Sequence, residues 1–199
     1  MLWIVSGPSS VGKTTFMGSP RIGEITGLPA NAPVLFPSGK DLGGRDLAGC
    51  LLHYNMLRPA ARFGRKQARL VERPRSLIER LLGRNKVTAP DAAAWREAAL
   101  DFANDPSWAA IVARPVAKRA VVLVASIETI LARVRARRVI EPGRDASRET
   151  YRPAEWLDLY ARLDLPAIYR AWTAELTARG VDYVMVDGND SEFRLLPNS

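Results

Sequence analysis

The chain is poor in the residues that build metal centres and disulfide frameworks. Its 199 residues include one cysteine, Cys50, and one histidine, His53. A lone cysteine closes no internal disulfide, and together with a lone histidine it falls short of a zinc ligand set. This cysteine usage fits a reducing cytoplasm. No apolar run approaches the roughly 20 residues that span a bilayer, so no membrane partner is expected. The first apolar run stops at Gly7-Pro8 with no basic segment before it, unlike a secretory leader. Internal repeats, low-complexity tracts and linker-like stretches are also missing, so residues 1–199 read as one domain.

What remains is a globular composition, 47% apolar and 25% charged, with a net charge of +8. Arginine supplies 24 of the 29 basic residues. Arginine richness can reflect genome composition, but an excess of positive over negative charge cannot, and it points to a polyanionic partner. The excess is local. From Arg58 to Lys86 there are ten basic residues against Glu72 and Glu79. Arg62, Arg65, Lys66, Arg69 and Arg73 recur at helical spacing and share one face. A phosphate-rich acceptor such as a nucleic-acid strand suits this face; a merely solubilising surface is the plainer alternative.

The strongest local signal is near the N-terminus. A short apolar run, Leu2 to Ser6, leads into Gly7-Pro8-Ser9-Ser10-Val11-Gly12-Lys13-Thr14-Thr15, which fits G-x-x-x-x-G-K-[ST] with strand before and helix after. Gly7 and Gly12 permit backbone angles closed to other residues, so the loop can wrap an anion with its N–H groups. The following helix start adds partial positive charge. Lys13 can reach the β- and γ-phosphates of a nucleotide, and the Thr14 hydroxyl can ligate Mg²⁺.

Further along, residues 18–33 are rich in glycine and proline and read as loop. Short strands are expected at 33–36, 50–54, 120–125 and 181–186. Helices are expected over 60–82 (kinked near Pro74), from a cap at Thr88 to about Asn104, after a cap at Ser126, and in two pieces between Pro153 and Gly180. Alternating strands and helices imply an α/β domain with five parallel strands covered on both faces. Ligands of such sheets sit at the carboxyl ends of the strands. The loops holding Gly7–Thr15, Ser38–Asp46, His53–Arg58, Ser126 and Asp187–Asp190 should therefore converge.

Phosphoryl transfer needs a charge clamp and a proton acceptor besides a phosphate cradle. Arg133 and Arg137, four apart on the helix after strand four, are the candidate clamp. Arg135 and Arg138 lie beside them, and Arg144 and Arg148 follow in a lid of about 133–152. A solvated basic helix face is the plain alternative. Asp41, which follows strand two, is the candidate base, although Asp beside Gly39 also suits a turn. His53, Asn55 and Arg58 are candidates for acceptor binding, and His53 is a second candidate base. Strands three and four end in His53-Tyr54-Asn55 and Ala125-Ser126, without a carboxylate for a Mg²⁺ shell. With no N-K-x-D guanine-reading sequence either, a motor ATPase or switch GTPase is disfavoured. Mg²⁺ would be held by Thr14, the phosphates and water.

Together these parts resemble the P-loop kinase group, which includes nucleoside and nucleotide kinases and guanylate kinases. They look most like the kinase half of polynucleotide kinase. GPSSVGKTT carries the phosphate loop, PVLFPSGKD sets Asp41 at the acceptor-side acid, and LLHYNMLRP carries His53 where that family has Asp. ILARVRARR followed by YRPAEWLDLY matches the arginine-bearing lid and its following helix. The resemblance implies a three-layer P-loop NTPase sandwich with strand order 2-3-1-4-5 and the use of ATP and Mg²⁺. It also implies transfer to a hydroxyl of DNA or a nucleotide. Some phage enzymes of this broad group phosphorylate a hydroxymethylated pyrimidine within DNA, which would place the chain in a host cytoplasm. A small-metabolite or nucleoside kinase is an alternative. A nucleotide-regulated nucleic-acid-binding module with little turnover is another.

Overall fold

Hydrophobic runs too short for helices and rich in valine, such as Val121–Val124, bury both faces and pair as central strands. In the computed structural model, which describes residues 1–37, 42–72, 92–140 and 153–197, these runs form one mixed sheet flanked by helices. The strands are β1 (Leu2–Gly7), β2 (Val34–Leu35), β3 (Leu51–Asn55), β4 (Lys118–Val124), β5 (Asp182–Asp187) and β6 (Leu195–Leu196). The helices are α1 (Lys13–Met17), α2 (Pro20–Thr26), α3 (Arg58–Glu72), α4 (Ala92–Leu100), α5 (Pro106–Val112), α6 (Ile127–Ile140), α7 (Pro153–Arg162) and α8 (Leu165–Ala178).

The sheet order is β2-β3-β1-β4-β5-β6. The first five strands are parallel and follow the expected order. The sixth, antiparallel to β5, was not foreseen. Two further differences concern helices. Residues 20–26, expected to be loop, form α2, with Pro20 in the first turn and Gly27 as a left-handed C-cap. Ile22 buries its side chain there, so packing overrides the glycine content. The helix expected to run to about Asn104 stops at Leu100, and Asp105-Pro106, expected to end it, instead starts α5, with Asp105 as N-cap accepting from Ser107 N at 3.2 Å. The Thr88 cap, the Pro74 kink and most of the 133–152 lid lie outside the described residues.

One face of the sheet packs on α5 and α8 through aromatic rings. Tyr54 stacks on Trp172 at 4.7 Å, and Trp108 meets Trp172 edge-on at 4.7 Å. Trp172 Nε1 donates to Ser6 Oγ at 2.9 Å, and that hydroxyl donates to Val121 O at 3.2 Å. The indole is therefore buried with its polar atom satisfied. This locks β1, whose carboxyl end launches the glycine-bounded loop.

Candidate functional site

The loop from Gly7 to Gly12 joins β1 to α1. Its backbone turns through φ values of 154° at Gly7, 64° at Ser10 and 109° at Gly12. A Cβ on Gly7 would lie 2.8 Å from Val11 Cγ1 and 2.9 Å from Leu123 O, so the first glycine is required by space as well as by angle.

The carbonyls of this loop are held by donors from several directions. Lys13 Nζ donates to Gly7 O at 2.8 Å and to Pro8 O at 2.6 Å, and Met56 N also donates to Gly7 O, at 3.1 Å. The Tyr160 hydroxyl of α7 donates to Ser9 O. Arg133 Nη1 donates to Val11 O at 2.8 Å, and Phe16 N donates to Gly12 O at 2.9 Å. Fixing the carbonyls in this way holds the loop backbone in one shape. The Lys13 ammonium is buried at the loop, whereas Thr14 and Thr15 are exposed at the start of α1. Thr14 and Thr15 offer the hydroxyls that could hold a phosphate and its cation.

The end of β3 forms the second wall. Asn55 Nδ2 donates to Ser9 Oγ at 2.9 Å while Asn55 Oδ1 accepts from Leu57 N at 3.0 Å, so one amide ties the loop to the start of α3. His53 is half-buried and lies against Phe36, ring centroids 5.2 Å apart. Burial, the Lys13 ammonium and the Arg58 guanidinium push its imidazole down to about 4, so it is neutral at physiological pH. Arg58 is anchored from behind. Its Nη2 donates to Ser107 Oγ at 2.6 Å, and its Nε lies 3.9 Å from Asp105 Oδ2. That carboxylate is buried and also accepts from the Tyr54 hydroxyl at 2.7 Å. Burial, then the Asp105 charge, pushes the Tyr54 phenol well above its ordinary value, so it stays a donor.

The ends of β4 and β5 close the third side. Ser126 Oγ accepts from Thr129 N at 3.1 Å and so caps α6 as expected, while Ser126 N donates to Asn189 Oδ1 at 2.8 Å. Arg133 Nη1 reaches Gly188 O at 2.6 Å, and Nη2 reaches Asn189 O at 3.0 Å. Gly188 is pressed against the loop: a Cβ there would lie 2.8 Å from Val11 O.

The structure thus brings together Gly7, Ser9, Ser10, Val11, Gly12, Lys13, Thr14 and Thr15 with His53, Asn55 and Arg58. It gives Arg133 a task other than a free clamp, since its guanidinium binds three backbone carbonyls. Asp41 and the Arg137 side chain lie outside the described set. Sequence reading missed Tyr160 as a partner of the loop, Asp105 as the anchor of Arg58, and Gly188 as a packing contact. Only Gly188 had a local signal, the Asp-Gly turn after β5. Among the described residues, no group of three or more His, Cys, Asp or Glu could hold a metal ion, and no helix is long and apolar enough to cross a membrane. A depression of about 480 Å³ lies at the opposite, amino end of the sheet, lined in part by Trp3, Arg119 and Asp182. It is away from the glycine-bounded loop.

Fold and site together define an α/β chain with a mostly parallel mixed sheet and a glycine-bounded loop held by its neighbours at the carboxyl ends of the strands. Comparison with protein-family models, curated proteins and solved structures finds no match to the chain.

Proposed function

We propose that this chain is an ATP- and Mg²⁺-dependent phosphotransferase of the P-loop kinase kind, moving a γ-phosphate to a hydroxyl of a nucleic-acid or nucleotide acceptor. The observation that carries the reading is the loop itself. The carbonyls of Gly7, Pro8, Ser9 and Val11 all accept from protein donors, and the Lys13 ammonium is held at the loop. The backbone of residues 7–13 with Thr14 and Thr15 would hold the nucleotide phosphates, and the Thr14 hydroxyl would face Mg²⁺, which supplies charge neutralisation when bound. Lys13 would stabilise the charge of the moving phosphoryl group. The acceptor hydroxyl gives up its proton as its oxygen bonds to phosphorus and ADP leaves. Asp41 is the acid that the sequence offers for that proton; His53, the other candidate, is neutral but a weak base, because burial and Lys13 hold its imidazole down to about 4.

One observation favours a second reading, a nucleotide-binding module with little turnover: Arg133 is committed to backbone carbonyls rather than free to clamp a phosphate. A radiolabelled γ-phosphate assay over DNA, RNA, nucleosides and sugars separates the two. Under the kinase reading one acceptor class takes label, and Lys13→Ala lowers its transfer by about a hundredfold or more with the fold intact. Salt-dependent nucleic-acid binding with no labelled acceptor would favour the module.

A further inference from the structure

Phe36 follows β2 at the carboxyl end of the sheet, and its ring is 53% exposed. Leu35 pairs with Leu52, so continuing that register sets Phe36 beside His53 on one face. Their ring centroids are 5.2 Å apart with planes at 41°. Val34 on the same face is 42% exposed, whereas Leu35 between them is buried and does the packing for this edge strand. A single exposed apolar residue is ordinary. This one stands at the strand ends where ligands of parallel sheets bind, next to an imidazole that burial and Lys13 keep uncharged. A neutral imidazole beside a phenyl ring presents a π surface rather than a cation.

The second observation is charge. α3 begins shortly after β3, at the same end of the sheet, and beyond the anchored Arg58 its sequence carries Arg62, Arg65, Lys66 and Arg69 against Glu72. Arg62 and Lys66 are exposed and one turn apart. An aromatic platform beside a basic track is how single-stranded nucleic acid is held, bases on rings and phosphates on cations. A duplex keeps its bases stacked on one another and unavailable to a ring. A free sugar uses neither feature, and a small anion needs no basic track along a helix.

Resting on the kinase reading, we propose that Phe36 and His53 form a stacking platform for an unpaired nucleobase of a single-stranded polynucleotide acceptor, whose neighbouring phosphates lie along α3. The test uses the full chain and three fluorescent DNA probes in equilibrium anisotropy at fixed salt: a single strand, the same strand with abasic sugars in place of its bases, and its blunt duplex. The single strand should bind about tenfold more tightly than the abasic strand or the duplex. Phe36→Ala should remove most of that advantage, and Phe36→Trp should keep it. Circular dichroism checks that the variants are folded. Equal binding of the three probes, no binding of any, or an advantage untouched by Phe36→Ala overturns the platform. The kinase reading is judged separately, by Lys13-dependent transfer to any acceptor. It can stand when the platform falls, and the anisotropy result does not depend on turnover.

Discussion

Because His53 is the only histidine, its titration can be followed without ambiguity by NMR of the imidazole ring. The perturbation is a pH fall from 7 to 3.5. Burial, Lys13 and Arg58 hold the folded imidazole at about 4, against 6.5 for an unperturbed one. Above pH 6.5 both folded and unfolded chains carry a neutral ring, and nothing is lost. Between 6.5 and about 4 the unfolded chain binds a proton that the folded chain refuses, so stability falls as pH falls. The displacement corresponds to about 3 kcal/mol by pH 4. Urea denaturation of wild type and of His53→Gln at pH 7 and pH 4.5 isolates this contribution, since all other groups are common to both. The wild type should lose more than the variant across that window, by about 2 kcal/mol. Lys13→Met should move the NMR midpoint upward, because it removes the nearby ammonium. A midpoint near 6.5, or equal pH slopes for wild type and variant, would refute the placement of His53 beside Lys13 in a desolvated wall. If the neutral ring also accepts the acceptor's proton, the acid limb of phosphoryl transfer should track the same midpoint.

The remaining predictions concern the struts of the loop. Arg133→Ala leaves the carbonyls of Val11, Gly188 and Asn189 without their donor, and should cost about 3 kcal/mol in urea denaturation along with nucleotide affinity. A loss of transfer with an unmoved denaturation midpoint would instead make Arg133 the charge clamp that its sequence position suggests. Tyr160→Phe removes the donor to Ser9 O and should cost about 1 kcal/mol, with nucleotide affinity down about fivefold by equilibrium dialysis. No change in either quantity would show that α7 does not support the loop.

The glycine-bounded loop and the positions of the first five strands were legible because both are local patterns, whereas the strand order came only with the family resemblance. A strand buried on both faces must be apolar throughout, and a loop that turns through positive φ around close neighbours selects glycine. Loop contacts that span most of the chain have no such signature. Tyr160 reads as one more apolar-face residue of α7, and nothing near it in sequence announces a hydrogen bond to Ser9. Asp105 reads as a helix breaker, yet it anchors Arg58 and Tyr54 because α5 folds back against β3. Arg133 shows the limit most clearly. Its charge and spacing announce a cation near the site, but whether that cation meets a ligand or the protein's own carbonyls depends on where β5 and its following turn arrive. Sequence by itself determined where the glycine-bounded loop falls and where the five parallel strands run. Tertiary structure alone decided which side chains hold that loop in shape and left Phe36 exposed beside a neutral imidazole, because those facts depend on distances between segments that no local pattern encodes.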